Sequence, residues 1–142
     1  MTAATADRAA YERAGGGRYS HFEMAAGAKI YAGTQVCLDA SGYAVSAADT
    51  ASYVFVGVAA EQVDNTDGNN GDLRIKVWRK GVFKFAYNPG DAARTNVGDI
   101  VYIKDNQTVT IAASVTHDVV CGRIFEYVDA SNVYVDIEHT WA

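Results

Sequence analysis

Proline occurs once, at Pro89, and cysteine twice, at Cys37 and Cys121, in a chain of 142 residues. Two thiols are too few for a disulfide scaffold and lack the Cys-x-x-Cys spacing of a zinc site, so both are expected to be buried, reduced and inert. No apolar run approaches the roughly 20 residues a membrane span needs. The leading Met-Thr-Ala-Ala-Thr-Ala-Asp-Arg has neither the basic start nor the apolar middle of a secretory signal, and synthesis in a cytoplasm is the expectation. Positive charge is also scarce, since 12 Lys and Arg face 17 Asp and Glu for a net charge of −5. That balance argues against gripping a phosphate backbone, so neither nucleic acid nor membrane is an expected partner.

Recognisable catalytic spacing is missing too. His21, His117 and His139 are scattered, and no His-x-x-x-His, Gly-x-Ser-x-Gly or Gly-x-x-x-x-Gly-Lys-Ser/Thr pattern is present. His117-Asp118 stands near Cys121, but a spacing of four on one predicted strand leaves the two side chains on one face and more than one pair apart. The stretch Asp64 to Asp72 is dense in oxygen ligands. With Gly68 at the turn of a calcium loop, however, the ligand places would fall on Val63, Asn65 and Asp67, and no Glu closes the loop. An exposed loop is the better expectation. No catalytic, metal or cofactor residue is nominated, and an enzyme is not expected.

What the chain does contain is alternation. From Asp72 to Phe85, Leu73, Ile75, Val77, Phe83 and Phe85 occupy odd positions while Arg74, Lys76, Lys80 and Lys84 occupy even ones, the period of two of an extended strand. Gly81 interrupts it, so a long strand bent or bulged near that glycine is predicted. Such a strand needs flanking strands and a covering layer. Short extended segments follow the same logic at 28–31, 35–39, 42–46, 100–104, 108–112, 117–126 and 133–138. Tyr53 to Glu61 is a continuous apolar run suited to a central strand covered on both sides. Turn residues punctuate them, and the fold class predicted is all-β, a small barrel or sandwich.

An internal echo accompanies the strands. Val36 to Ala48 resembles Val101 to Ala113, and Gly57-Val-Ala-Ala-Glu-Gln-Val-Asp64 meets Gly122-Arg-Ile-Phe-Glu-Tyr-Val-Asp129 at the same spacing. A pseudo-duplicated barrel is predicted, with Asp72 to Phe85 between the copies.

Residues 1–24 read differently and are predicted to be an N-terminal arm, extended or weakly helical, before a β domain at 25–142. Thr2 to Ala14 has helix propensity but no apolar stripe. Gly15-Gly16-Gly17 is a joint, and Arg18 to Met24 is aromatic and basic. Residues 1–34 hold four cations against three acids, so the acid excess lies in the rest. The cationic face of Arg74, Lys76, Lys80 and Lys84 admits three readings: a solvated edge that prevents aggregation, a dock for an acidic protein surface, or, with Trp78 as platform, a single-strand binder. Nine Tyr with Trp78 and Trp141 exceed the needs of the core, and some are expected to be interface anchors.

In order, Val56-Gly57-Val58-Ala59, Lys80-Gly81-Val82-Phe83, Val97-Gly98-Asp99-Ile100-Val101-Tyr102 and Cys121-Gly122-Arg123-Ile124 resemble the landmarks of the small capsid decoration, or cement, proteins of tailed bacteriophages. The resemblance spans about Ala25 to Glu138. It implies a β-barrel or β-tulip body, homotrimers on the outer capsid surface of the virion, the major capsid protein as partner, and an arm that pairs with shell strands to resist DNA pressure. Arm contacts would then fall to Arg8, Tyr11, Arg13, Arg18, Tyr19 and Phe22, and other interface contacts to Arg74, Lys76, Trp78, Lys80, Lys84 and Trp141. A carbohydrate- or receptor-binding β module on a virion surface is the alternative reading.

Overall fold

A computed structural model describes residues 2–10 and 12–138. It is all-β, with strands β1 (Tyr19–Glu23), β2 (Lys29–Ile30), β3 (Gln35–Leu38), β4 (Ala44–Ser46), β5 (Val54–Ala59), β6 (Val63–Asp64), β7 (Arg74–Trp78), β8 (Val82–Tyr87), β9 (Ile100–Ile103), β10 (Thr108–Thr110), β11 (Val120–Asp129) and β12 (Asn132–Asp136). The expected small all-β architecture is therefore present, in a specific form. One five-stranded sheet runs β1-β7-β5-β3-β4, a second set closes as a barrel in the order β10-β8-β12-β11-β9, and β2 pairs with β6 in a small ribbon.

The two five-stranded sets are one design used twice. Val36 faces Gly57 and Cys37 faces Phe55 in the first, as Val101 faces Gly122 and Tyr102 faces Val120 in the second. Val58 pairs with Trp78 as Arg123 pairs with Asp136, and Phe22 pairs with Ile75 as Phe85 pairs with Val133. The sequence echo is thus a structural repeat. The Asp72 to Phe85 segment does not lie between the copies as one strand; it ends the first copy and begins the second. Arg79, Lys80 and Gly81 form the corner, and β7 and β8 belong to different sheets. Gly81 takes φ +133 there, a conformation open to glycine at little cost.

Closure differs between the copies. In the second, β10 and β8 pair in parallel through Thr108/Ala86 and Val109/Tyr87. In the first, the equivalent seam is one parallel bridge, Met24 to Ala44, with the Ala25 N–H donating to the Ala44 carbonyl at 3.0 Å. Curling so few strands forces backbones together at one point per copy. A Cβ on Gly57 would run into the Trp78 carbonyl and lie 2.7 Å from Val77 Cγ1; one on Gly122 would run into the Asp136 carbonyl and lie 3.0 Å from Val135 Cγ1.

Each copy has its own core. Met24, Ile30, Val36, Ala44, Val56, Ala59, Ile75 and Val77 fill the first. The second contains Phe85, Val101, Ile103, Val109, Cys121, Ile124, Val133 and Val135, and it also takes in Cys37, Phe55 and Val58 from the first copy. Those three point away from the first core, so the outer wall of β3 and β5 seals one end of the second barrel. The Gln35 N–H donates to the Asn106 carbonyl at 2.8 Å across this join. Both cysteines are buried and free, as expected. Burial pushes the Cys37 thiol up to about 12, and burial with the neighbouring Cys37 raises Cys121 well above its ordinary value.

Residues 19–23, assigned to the arm by sequence, are a strand of the body. Their backbone groups pair on one side with β7 from Tyr19/Trp78 to Glu23/Arg74, and β1 is the edge strand of that sheet. The stretch 2–10 carries no helix and is exposed, and Ala14–Gly17 makes a short 3-10 turn. A polar, nearly stripe-free sequence has no apolar face to hold a helix against the body.

A second tie crosses the join. Asp49 accepts from the backbone N–H groups of Thr116 and His117 at 2.8 and 2.9 Å, and these bonds, the Thr116 one first, hold its carboxyl below the ordinary value. A lowered native pKa stabilises the fold above the unfolded value of about 3.9, and that contribution is lost as pH falls through the native pKa. Asp49→Asn is expected to flatten this part of the acid limb in urea titrations repeated across pH. Gly57→Ala and Gly122→Ala are each expected to cost about 3 kcal/mol or more in chemical denaturation, because backbone must move. Gly42→Ala, at φ +86 with open space around the new methyl, should cost only about 1 kcal/mol.

Candidate functional site

Alternation along β1 sends Ser20 and Phe22 inward and Tyr19, His21 and Glu23 outward. On β7 the outward set is Trp78, Lys76 and Arg74, directly opposite those three in the antiparallel register. Tyr19 and Trp78 meet edge to face with ring centroids 5.9 Å apart, and Tyr19 and His21 do so at 6.1 Å. Lys76 Nζ lies 4.4 Å from the Tyr19 ring centroid and 4.8 Å from that of Trp78. Arg18 covers Trp78 at 5.5 Å and Arg13 covers Tyr19 at 5.4 Å.

Each cation is drawn to the negative face of an aromatic ring. The corner contributes as well. Lys80 Nζ donates to the Gly16 carbonyl at 2.7 Å, and the Arg79 N–H donates to the Arg18 carbonyl at 2.8 Å. The triple glycine, with positive φ at Gly15, Gly16 and Gly17, lets the chain turn tightly enough to bring Arg13 back over Tyr19. Two acids adjoin the cations: Glu23 stands opposite Arg74 on the same face, and Glu61 Oε1 accepts from the Lys76 backbone N–H at 3.1 Å.

Of the residues expected to act, Arg13, Arg18, Tyr19, Lys76, Trp78 and Lys80 therefore come together, although sequence divided them between arm and body. Arg74 shares their face, opposite Glu23. Phe22 points inward against the first core, with the Arg79 guanidinium 5.2 Å from its ring. Lys84 is exposed on β8 in the other sheet, and Arg8 is exposed in the irregular stretch before the turn. Tyr11 and Trp141 lie outside the described residues. His21 was not singled out by sequence, yet its alternation with Tyr19 is the signal that places it on this face.

The remaining chemical candidates separate. His117 lies before β11 rather than on it and contacts Asp49 through Nδ1 at 3.2 Å, whereas Cys121 is fully buried in the second core. The two do not form a pair. Among the described residues no group of three or more His, Cys, Asp or Glu could hold a metal ion, and no helix is long and apolar enough to cross a membrane. In the Asp64 to Asp72 loop, the Asn65 amide donates to the Ala25 and Asn69 carbonyls at 2.9 and 3.1 Å, and Asp72 accepts from the Asn69 N–H at 2.8 Å. Its polar groups are engaged within the loop and with the backbone of Ala25 and Ala26.

No family model, curated protein or solved structure matches this chain.

The cluster fastens the turn at Ala14–Gly17 to the body. Tyr19→Ala removes two aromatic pairs and two cation contacts, each worth about 0.5–1.5 kcal/mol. Hydrogen exchange at the amides of residues 18–23 is expected to speed up by roughly tenfold as a result, with the β8–β12 amides unchanged.

Proposed function

We propose that this chain is a structural capsid decoration protein, a cement protein of a tailed-phage head, that docks by its cationic, aromatic face on an acidic protein surface. The observation that carries the reading is charge placement. In a chain of net charge −5, Arg13, Arg18, Lys76, Arg74 and Lys80 are gathered on or beside the outer face of β1 and β7, against the acids Glu23, opposite Arg74, and Glu61 at the rim.

The aromatic rings favour a protein partner over the two competitors. A base or a sugar ring stacks on an open aromatic face. Here the Trp78 face carries Lys76 and Arg18, the Tyr19 face carries Lys76 and Arg13, and the edge of one ring packs against the other. What the face offers outward is an excess of cations over the acids Glu23 and Glu61, suited to carboxylates on a partner.

The segments that resemble landmarks of decoration proteins fall at framework positions. Gly57 and Gly122 stand where each copy curls, Lys80-Gly81 is the corner, and Val97 to Tyr102 is the turn into β9. The exposed stretch 2–10 would supply the arm, since residues 19–23 are engaged in the body. Trimers at the three-fold sites of a shell would link three such faces, so that individually weak contacts add through avidity.

The test is co-sedimentation of the purified chain with expanded, empty heads of the phage that encodes it. Binding is expected to saturate, to weaken with added salt, and to fall about tenfold or more in the double variant Lys76→Glu, Arg18→Glu. Saturable binding to an oligosaccharide array or to single-stranded DNA, with none to the heads, would replace this reading by one of its competitors.

A further inference from the structure

The internal repeat gives each residue of the join a counterpart, and Gln35 departs from its own. Gln35 pairs with Val58 in the first copy as Ile100 pairs with Arg123 in the second, so Gln35 and Ile100 hold the same place on their walls. Burial alone would put isoleucine in the covered wall and glutamine in the more exposed one. The chain does the reverse, with Gln35 0% exposed and Ile100 39% exposed.

The Gln35 side chain shares a face with Cys37 and with Val58, its partner across the strand pair, and both of those pack into the second core. Its backbone is engaged, donating to the Asn106 carbonyl at 2.8 Å and accepting from the Ala47 N–H at 3.1 Å. Its carboxamide is not, for neither Nε2 nor Oε1 has a hydrogen-bond partner among the described residues. A carboxamide carries both donors and an acceptor, and burying them unmatched costs free energy that is regained once water reaches them.

We propose that Gln35 makes the join a separable contact: the first copy's wall and the second barrel part as two intact modules, the carboxamide being solvated in the open form, and close again, with the closed form predominating. The layout of the join fits a contact that yields before the sheets do. No strand pair crosses it, since β3 and β5 belong to one sheet and β8 to β12 to the other. Among its ties are the Gln35 bond to Asn106 and the Asp49 carboxylate on the Thr116 and His117 N–H groups. Met24, Val36, Val56, Ile75 and Val77 fill a separate core in the first copy, and that core stays covered when the join parts. The face of β1 and β7 also stays intact, because both strands lie in the first sheet, so the second barrel turns about the corner at Arg79 to Gly81 without disturbing it. The opening needs neither a shell nor a second chain, and its failure leaves the docking face untouched.

The two thiols report on this contact. Cys37 stands on the wall and Cys121 in the barrel that the wall covers, both 0% exposed, so an alkylating reagent reaches them when the join opens. The test is alkylation of the full chain by iodoacetamide in native buffer, followed by mass spectrometry and set against amide hydrogen exchange in β7 and β12 and against urea denaturation. In the wild type, Cys37 and Cys121 are expected to react with one common opening constant, roughly tenfold or more larger than that of the β7 and β12 amides or of global unfolding. Gln35→Met keeps the length of the side chain and removes the carboxamide, and it is expected to slow alkylation of both thiols about tenfold. Thiols that react only as fast as the whole chain unfolds, or at two unrelated rates, would overturn the proposal, and that result needs no variant. A Gln35→Met chain that reacts as fast as the wild type or faster would overturn it too, since the carboxamide would then be satisfied in the closed form, by a bound water for example.

Discussion

A five-stranded barrel of this length is narrow along its sides and open at its ends, and the apolar residues at an end need a cover. In this chain the cover of one barrel is the outside of the other. Cys37, Phe55 and Val58 belong by chain order to the first copy and by packing to the second core, so the second core is completed by the first copy. That single contact explains why β3 and β5 are apolar on both faces while most other strands are apolar on one, and why Tyr53 to Glu61 reads as an unbroken greasy run. The strand is central in its own sheet and also forms the lid of its neighbour.

The constraint reaches the backbone through glycine. A sheet of five short strands curls tightly only where a strand can lean on the carbonyl of the next, and Gly57 and Gly122 are the residues that permit it. The bulges beside them, at Val36/Cys37 and between Val120 and Gly122, turn the following side chains so that Val56 and Ala59 face one core while Phe55 and Val58 face the other. Curl and double-sided burial thus have the same origin.

Strand positions were legible because period-two alternation is a local property, and the repeat was legible because register demands similar residues at similar spacing. The break at Arg79 to Gly81 was not. The odd-even pattern continues unchanged through the corner, since each half alternates in its own sheet, and alternation carries no information about which sheet a strand joins. The pairing of β1 with β7 was hidden for a related reason: a short aromatic strand after a glycine joint reads equally well as one seeking a partner elsewhere. The members of the cation and aromatic cluster were individually visible, but their convergence depends on that pairing and on the tight turn at Gly15 to Gly17.

The corner has a mechanical meaning. Three residues span at most about 10 Å, so the two modules are tethered at a separation smaller than their own width. Within one molecule the lid meets its barrel at a high effective concentration, and a contact of modest strength stays shut.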